Sequence, residues 1–385
     1  MKAQLHWLAC LSAVTAGIIL SACRTPQLDE PIPVPVYTNA NNSAGGAPYP
    51  PSKFFQSLTW HWETHQTAAL GSDLWPVTWG ADGNIYAAWG DGGGFGGSDS
   101  QGRVGLGFAR IEGGPQNYRG FNVNGGLNPE HPAEFPKKGK ASGLLDVDGT
   151  LYANVNLQDA PWPNVHHQMI CSTNHGASWT HADWKFSKGA GEFQPTKFLN
   201  FEQGYTGLPS HLAGFVYIYG FKQPATNEQV KQMYLARVPQ NKILERGAYE
   251  FFQGLDKRNR PHWKPDFTTA QVVFFDANGT SHCTVVYNTR LHRYINTTFH
   301  EGPGQLGVFD GPEPWGPWTT IAYYENWGEM GKAGEGLSCE FPSKWMSEDG
   351  LTMWSIFSVY GEGGKIGAKA HDRFNLVKAT LVPAK

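Results

Sequence analysis

Charge is scarce in this 385-residue chain. Asp, Glu, Lys and Arg make up 16% of it, against about 25% in ordinary globular proteins. The formal net charge is −3, so no basic surface is available to attract nucleic acid. Sustained helical periodicity is missing too. The longest helix-like stretch, 230–247, is interrupted by Pro239, which excludes a helical bundle or coiled coil. There are five cysteines. Cys10 falls in an N-terminal apolar run and Cys23 just after it, leaving Cys171, Cys283 and Cys339. Their spacing fits no zinc pattern, and an odd number allows one disulfide at most, with the pair unspecified.

Glycine (47), proline (26) and tryptophan (15) are abundant, and aromatics reach 14%. Such a chain is too aromatic to stay disordered. The composition implies a turn-rich, all-β protein whose surface is polar through neutral side chains.

The first 22 residues carry Lys2 and an apolar run from Leu5 to Leu20, short for a membrane span. The run ends Leu20-Ser21-Ala22-Cys23, which resembles a bacterial lipoprotein signal, and an ordinary secretory signal is the alternative. The resemblance implies that Cys23 is lipidated and becomes the first mature residue. Arg24 follows it, so nothing resembles an inner-membrane retention signal, and an outer-membrane or cell-surface location is expected. Residues 24–52 hold seven prolines and read as a tether. The expected organisation is a signal at 1–22, a lipidated cysteine and Pro-rich linker at 23–52, and one globular domain at 53–385.

That domain reads as repeated β-hairpins. Three units join two short apolar strands through Asp-Gly: 75–79 with 85–89, 142–147 with 150–155, and 345–346 with 352–359. Asp-Gly supplies the left-handed positions that a tight hairpin turn needs. Two further units, 197–201 with 214–221 and 283–287 with 292–299, lack it. Strand-like sequence follows each unit, at 104–111, 168–171, 233–238, 304–309 and 374–382. Five such units predict a five-bladed β-propeller. A sixth blade within 241–275 and a β-sandwich are the alternatives. Residues 172–179, Ser-Thr-Asn-His-Gly-Ala-Ser-Trp, resemble the Asp-box turn of sialidase-like propellers, with Asn in place of Asp.

Chemistry is sought among the few charges. With Asp82-Gly83 as a two-residue loop, Asp91 faces Leu74 and Asp73 faces Gly92, so Asp73 and Asp91 become diagonal neighbours at one hairpin end. Glu340 stands nine residues before Asp349, as Asp73 stands nine before Asp82. Superposed blades would put Glu340 on the same rim, with Tyr360 beside it and Glu335 as a spare acid. Paired carboxylates can have their pKa values pushed apart, as glycoside hydrolysis requires. Turn capping by Asp73 and Asp91 is the alternative.

Gly71-Ser72-Asp73-Leu74, Asp82-Gly83-Asn84-Ile85-Tyr86 and Trp89-Gly90-Asp91 together resemble the first blade of a bacterial propeller family. That family was long catalogued as a domain of unknown function, and some members are classed as glycoside hydrolases acting on D-arabinan. Here Ser72 and Gly92 replace threonines of the pattern. The resemblance implies that Asp73 and Asp91 are the acid/base and the nucleophile, in unassigned order.

His167, Arg290, His292 and Tyr360 suit a rival chemistry, a polysaccharide lyase with a His or Tyr base and a cation facing a uronate. A non-catalytic glycan-binding lipoprotein is the third reading. His61 and His65 have the i, i+4 spacing of a helical metal pair but lie in an unhelical, Trp-rich segment. Most tryptophans are expected between blades. Trp75 and Trp327, beside Gly- or carboxylate-bearing loops, are the expected sugar-stacking exceptions. Gly92–Gly97 fits a dinucleotide-loop pattern without the following helix, so a flexible or close-approach loop is expected instead. The expected partners are a carbohydrate and, through the lipid, a membrane. The chain is expected to be a monomer without a cofactor or catalytic metal, and nothing supports a structural calcium.

Overall fold

The structure is a computed structural model describing residues 46–135, 137–159, 165–186, 189–224, 230–300, 305–330, 335–361 and 364–385. The chain divides into two units, Met1–Glu30 and Pro31–Lys385. The first, with Cys10 and Cys23, lies outside the described residues.

The second unit is a five-bladed β-propeller of antiparallel sheets. Strand β1 (Phe55–Ala68) comes first and belongs to the last blade. Blade one is β2 (Asp73–Trp79), β3 (Ile85–Gly90), β4 (Leu106–Glu112) and β5 (Arg119–Asn124). Blade two is β6 (Lys140–Val147), β7 (Thr150–Asn156), β8 (His167–Ser172) and β9 (Thr180–His181). Blade three has six strands: β10 (Phe193–Phe198), β11 (Phe215–Lys222), β12 (Gln232–Pro239), β13 (Glu250–Leu255), β14 (Pro261–Lys264) and β15 (Val272–Phe275). Blade four is β16 (Ser281–Asn288), β17 (Arg293–Phe299), β18 (Leu306–Gly311) and β19 (Thr319–Tyr324). Blade five is β20 (Glu335–Glu340), β21 (Thr352–Tyr360), β22 (Phe374–Pro383) and finally β1. A short helix, α1 (Gly364–Ala370), precedes β22.

Residues 241–275 therefore extend blade three, and no sixth blade forms from them. Residues 345–346, expected as a strand, are the last residue and the C-cap of a 3₁₀ turn (Ser343–Trp345), and the inner strand of blade five is β20. Blade five takes its outer strand from the N-terminus, with Leu58 opposite Leu381. Residues 49–52, read as the end of the linker, lie along blade four. There Tyr49 is buried against Phe274 and Phe309, and Thr320 donates its backbone N–H to Pro50.

The inner strands β2, β6, β10, β16 and β20 each pack on the next, and β20 packs on β2, closing a ring around the axis. One face is sealed by the turns that follow these strands. The Ala81 amide donates to Asp146, Gln203 to the Ala81 carbonyl, the Asp148 amide to Gly204, and Asn288 to the Gly350 carbonyl, while Arg290 pairs with Glu202. The inner strands begin at the opposite, open face.

The wedges between blades hold most of the tryptophans. Trp75 stacks on Trp89 with centroids 5.9 Å apart and meets Phe374 edge-on at 5.1 Å. Truncating a buried aromatic of this kind costs about 3–5 kcal/mol. The three described cysteines are free thiols. Cys339 lies 3.3 Å from Ser355 Oγ and Cys283 3.7 Å from Thr196 Oγ1, so the single disulfide that the sequence allowed does not form.

Candidate active site

The first hairpin is out of step with the two-residue loop expected from Asp82-Gly83. Gly80 donates to Asn84 and closes a longer turn. A bulge between Leu74 and Val77 shifts the register again. Asp73 therefore faces Gly90, not Gly92, and Leu74 faces Trp89. Gly90 immediately precedes Asp91, so the two carboxylates still share one end of the hairpin, at the open face.

The backbone is strained there. Leu74, Trp75 and Asp91 have φ of 72°, 59° and 53°, left-handed values that cost about 1–3 kcal/mol in a non-glycine residue. The Gly92–Gly97 loop holds Asp91 in place by close approach. A Cβ on Gly92 would lie 2.3 Å from the Gly71 carbonyl oxygen. The Gly94 amide donates to Ser72 Oγ and the Phe95 amide to Asn122.

Asp73 is largely buried, and its Oδ1 has no hydrogen-bond partner among the described residues. Burial pushes its carboxyl up to about 7; Lys140 opposes the shift, and the charges of Asp91 and Asp372 add to it. Asp91 is ion-paired. Lys140 Nζ donates to its Oδ1 at 2.6 Å and Arg103 lies 3.4 Å from its Oδ2. Lys140 begins the inner strand of blade two and also donates to the Gly105 carbonyl at 3.0 Å. A Cβ on Gly90 would sit 2.4 Å from Asp73 Oδ1 and 2.6 Å from Lys140 Cδ. The bare glycine thus lets the lysine stem pass between the two acids, and these contacts keep their oxygens within about 10 Å of each other. That span covers both classes of two-carboxylate glycosidase geometry. Asp372 joins the rim from the turn before β22; burial pushes its carboxyl up, with His371 opposing. His371 Nε2 lies 3.4 Å from Asp372 Oδ2.

Behind this rim lies an axial cavity of about 540 Å³. Lys140 and Leu74 line it, so Asp73 and Asp91 stand beside its mouth. Thr196 and Lys197 line it further along β10, and His167 and His282, at the open-face starts of β8 and β16, line it near the level of Lys140.

The other expected site residues scatter. Ser338 Oγ donates to the Leu74 carbonyl, which sets the level of Glu340 two residues further toward the closed face. It lies about three residues, roughly 10 Å, deeper than Asp73. The expectation of a shared rim fails because 341–351 is a long turn, which makes counting back from Asp349 misleading. Glu340 is buried and bonded to Lys197 Nζ at 2.7 Å. Tyr360 faces Glu335 across the sheet, not Glu340; it is 49% exposed on the open face with its ring against His371. Trp75 and Trp327 are 0% and 1% exposed. Neither ring can stack on a sugar, because each fills an inter-blade wedge. Arg290 sits on the sealed face with Glu202, remote from the rim, as does His292 in the same turn. His167 lines the cavity, 2% exposed, with both ring nitrogens unpartnered among the described residues. His61 and His65 lie on β1 and bond to Thr380 and Asn375. Among the described residues no cluster of three or more His, Cys, Asp or Glu could hold a metal ion. The sequence reasoning missed Lys140, Arg103, Lys197 and Asp372. Lys140 had a signal: it opens the second blade's inner strand as Asp73 opens the first.

Fold and site together define a five-bladed propeller with a carboxylate-bearing rim around an axial cavity. Residues 142–334, half of the chain, match the domain of unknown function DUF4185, and the chain belongs to that family. The match begins after the first blade. No curated protein matches the sequence. Solved structures with a similar fold include a Bacteroides ovatus ATCC 8483 protein provisionally named a hydrolase, 10% identical with a TM-score of 0.50, covering 82% of this chain and 87% of that one. A GH43_1 enzyme from Xanthomonas citri is 12% identical, TM-score 0.43, over 83% and 91%. A family 117 glycoside hydrolase from Zobellia galactanivorans is 9% identical, TM-score 0.42, over 85% and 91%.

Proposed function

We propose that the protein is a glycoside hydrolase acting on an extracellular glycan, with Asp73 as general acid and Asp91 as the nucleophile or base. The carrying observation is the pairing of two unlike carboxyl groups on one rim: a largely covered Asp73 whose Oδ1 is buried without a partner among the described residues, and an ion-paired Asp91, separated by one lysine side chain. Burial favours a protonated Asp73, which can donate to a leaving glycosidic oxygen. Lys140 and Arg103 pair with the Asp91 carboxylate and hold it in place for attack on the sugar or for activation of water. Burial of Asp73, against the opposing charge of Lys140, and the ion pairs of Asp91 thereby make the two groups unlike. Glu340 has no direct part; with Lys197 it is a positioning pair beneath the cavity.

The first-blade resemblance makes D-arabinan the first substrate to try. The test is release of reducing ends from a panel of neutral polysaccharides, arabinan included, by wild type, Asp73→Asn and Asp91→Asn. Each variant should keep the fold and lose activity by about 10²–10⁴-fold. Full activity in both would refute the assignment. Ultraviolet-absorbing unsaturated products from a uronate polymer would point to elimination instead. We also propose anchoring through a lipid on Cys23; Cys23→Ser should move the protein from the membrane fraction to the soluble one.

A further inference from the structure

We propose that the axial cavity seats an uncharged sugar residue and that His167 is the contact that reads its hydroxyl groups. This rests on the glycosidase reading and goes beyond it by naming the class of ligand and the residue that selects it.

The charges of the cavity cancel internally. Lys140 is bonded to Asp91 at 2.6 Å and Lys197 to Glu340 at 2.7 Å. Both lysines are largely covered, with 16% and 8% of their side chains exposed. The two histidines add no cation: burial pushes His167 down to about 3 and His282 down to about 4. Arg290 is on the other face of the ring. No unpaired cation among the described residues therefore awaits an anionic group in this cavity. A uronate carboxylate would be stripped of water there without a counter-charge, which is strongly unfavourable.

The cavity wall does combine neutral polar groups with apolar surface. His167 stands 2% exposed with Nδ1 and Nε2 both unpartnered among the described residues. A neutral imidazole carries one donor and one acceptor. Leaving both unmade in a buried site costs stability, and a hydroxyl of a sugar in the cavity can satisfy one of them. Thr196 and Ser281 add hydroxyl groups, while Phe221, Val230 and Met233 supply apolar wall for a ring's C–H face. This mixture of apolar wall and a few convergent polar groups is what small-molecule sites present, and 540 Å³ lies in their usual range.

The test is equilibrium binding of free sugars to the full-length protein, measured by calorimetry or ligand-observed NMR. The probes are arabinose and xylose, together with two matched pairs: galactose against galacturonate, and glucose against glucuronate. At least one neutral sugar should bind, and each uronate should bind at least tenfold more weakly than its neutral counterpart. His167→Phe should weaken the neutral sugar at least tenfold, equivalent to about 1.4 kcal/mol, while its melting temperature stays level or rises. A purely structural histidine would show the stability change without the binding change. His167→Gln, which keeps one donor and one acceptor, should recover part of the affinity.

Tighter binding of a uronate, unchanged affinity in His167→Phe, or no binding of any neutral sugar would each overturn the proposal. The wild-type comparison of matched pairs stands even where the Phe variant fails to fold. Asp73→Asn separates the two readings, since it should bind sugar normally without turnover. If both aspartate variants turn over normally while the His167 result holds, the catalytic assignment fails and the cavity assignment survives.

Discussion

Replacing Asp73 by Asn should make the protein more stable at alkaline pH while removing its activity. Burial holds the Asp73 carboxyl near 7 in the fold, against 3.8 when exposed. The folded state therefore keeps a proton that the unfolded chain has released. Asp73 destabilises the fold least below about pH 4, and the stability tied to its proton is lost as pH rises through about 7. The gap of about three units corresponds to about 4 kcal/mol at full deprotonation, a ceiling because water entering the rim would reduce it. Asn is neutral throughout and escapes this loss. The cost of any bond its amide leaves unmade is the same at every pH. The difference between variant and wild type should thus shift in favour of Asn by up to about 4 kcal/mol between pH 4 and pH 8. Urea denaturation of both proteins at about pH 4, 6 and 8 measures it. A constant difference, or one moving toward wild type at high pH, would show that Asp73 is not held protonated and would remove the basis for its role as an acid.

Other outcomes follow from the same geometry. Lys140→Met removes a cation within about 7 Å of Asp73 Oδ1, worth about 2–3 kcal/mol at an effective dielectric of 20. The alkaline limb of the pH–rate profile should move up by about one to two units, and a limb that stays put would sever the link. Gly90→Ala places a methyl group 2.4 Å from Asp73 Oδ1. It should cut turnover roughly 10²-fold with the melting temperature nearly unchanged, and unaltered kinetics would mean that Asp73 need not lie where it does. Glu340→Gln leaves Lys197 buried and uncompensated, at a cost of about 3–5 kcal/mol. Denaturation should show that loss, and the double change Lys197→Met with Glu340→Gln should recover most of it.

The fold was legible because its signals are local. Asp-Gly turns and alternating apolar runs marked both hairpins of blades one and two to within a few residues. Two features were not local. The pairing of 55–68 with 374–383 joins the ends of the chain, and nothing in either segment names the other. Residues 241–275 look like a blade of their own but pair with β12 and β13, a choice settled by tertiary packing. At the site, the closeness of Asp73 and Asp91 survived a wrong register, because loop and bulge errors moved the pairing by only two positions. Glu340 was misplaced because one Asp-Gly was assumed to close a tight hairpin, whereas Pro342 and the 3₁₀ turn after it lengthen that connection. Trp75 and Trp327 were misjudged because sequence neighbours cannot show on which side of a blade a ring packs.

The seam between β1 and β22 also bears on how the molecule comes to be folded. Its partners are more than three hundred residues apart, and closing a loop of that length costs about 5 kcal/mol of chain entropy. The N-terminal strand must wait for the last-made strand, and until they meet each presents an unpaired edge prone to joining other chains. Loss of the final ten residues should therefore yield aggregates more readily than a loosened monomer. The Gly71 amide is held by the Asp372 carbonyl at 2.7 Å, just before β22 begins, so the rim that positions Asp73 takes shape only in a molecule whose two ends have found each other.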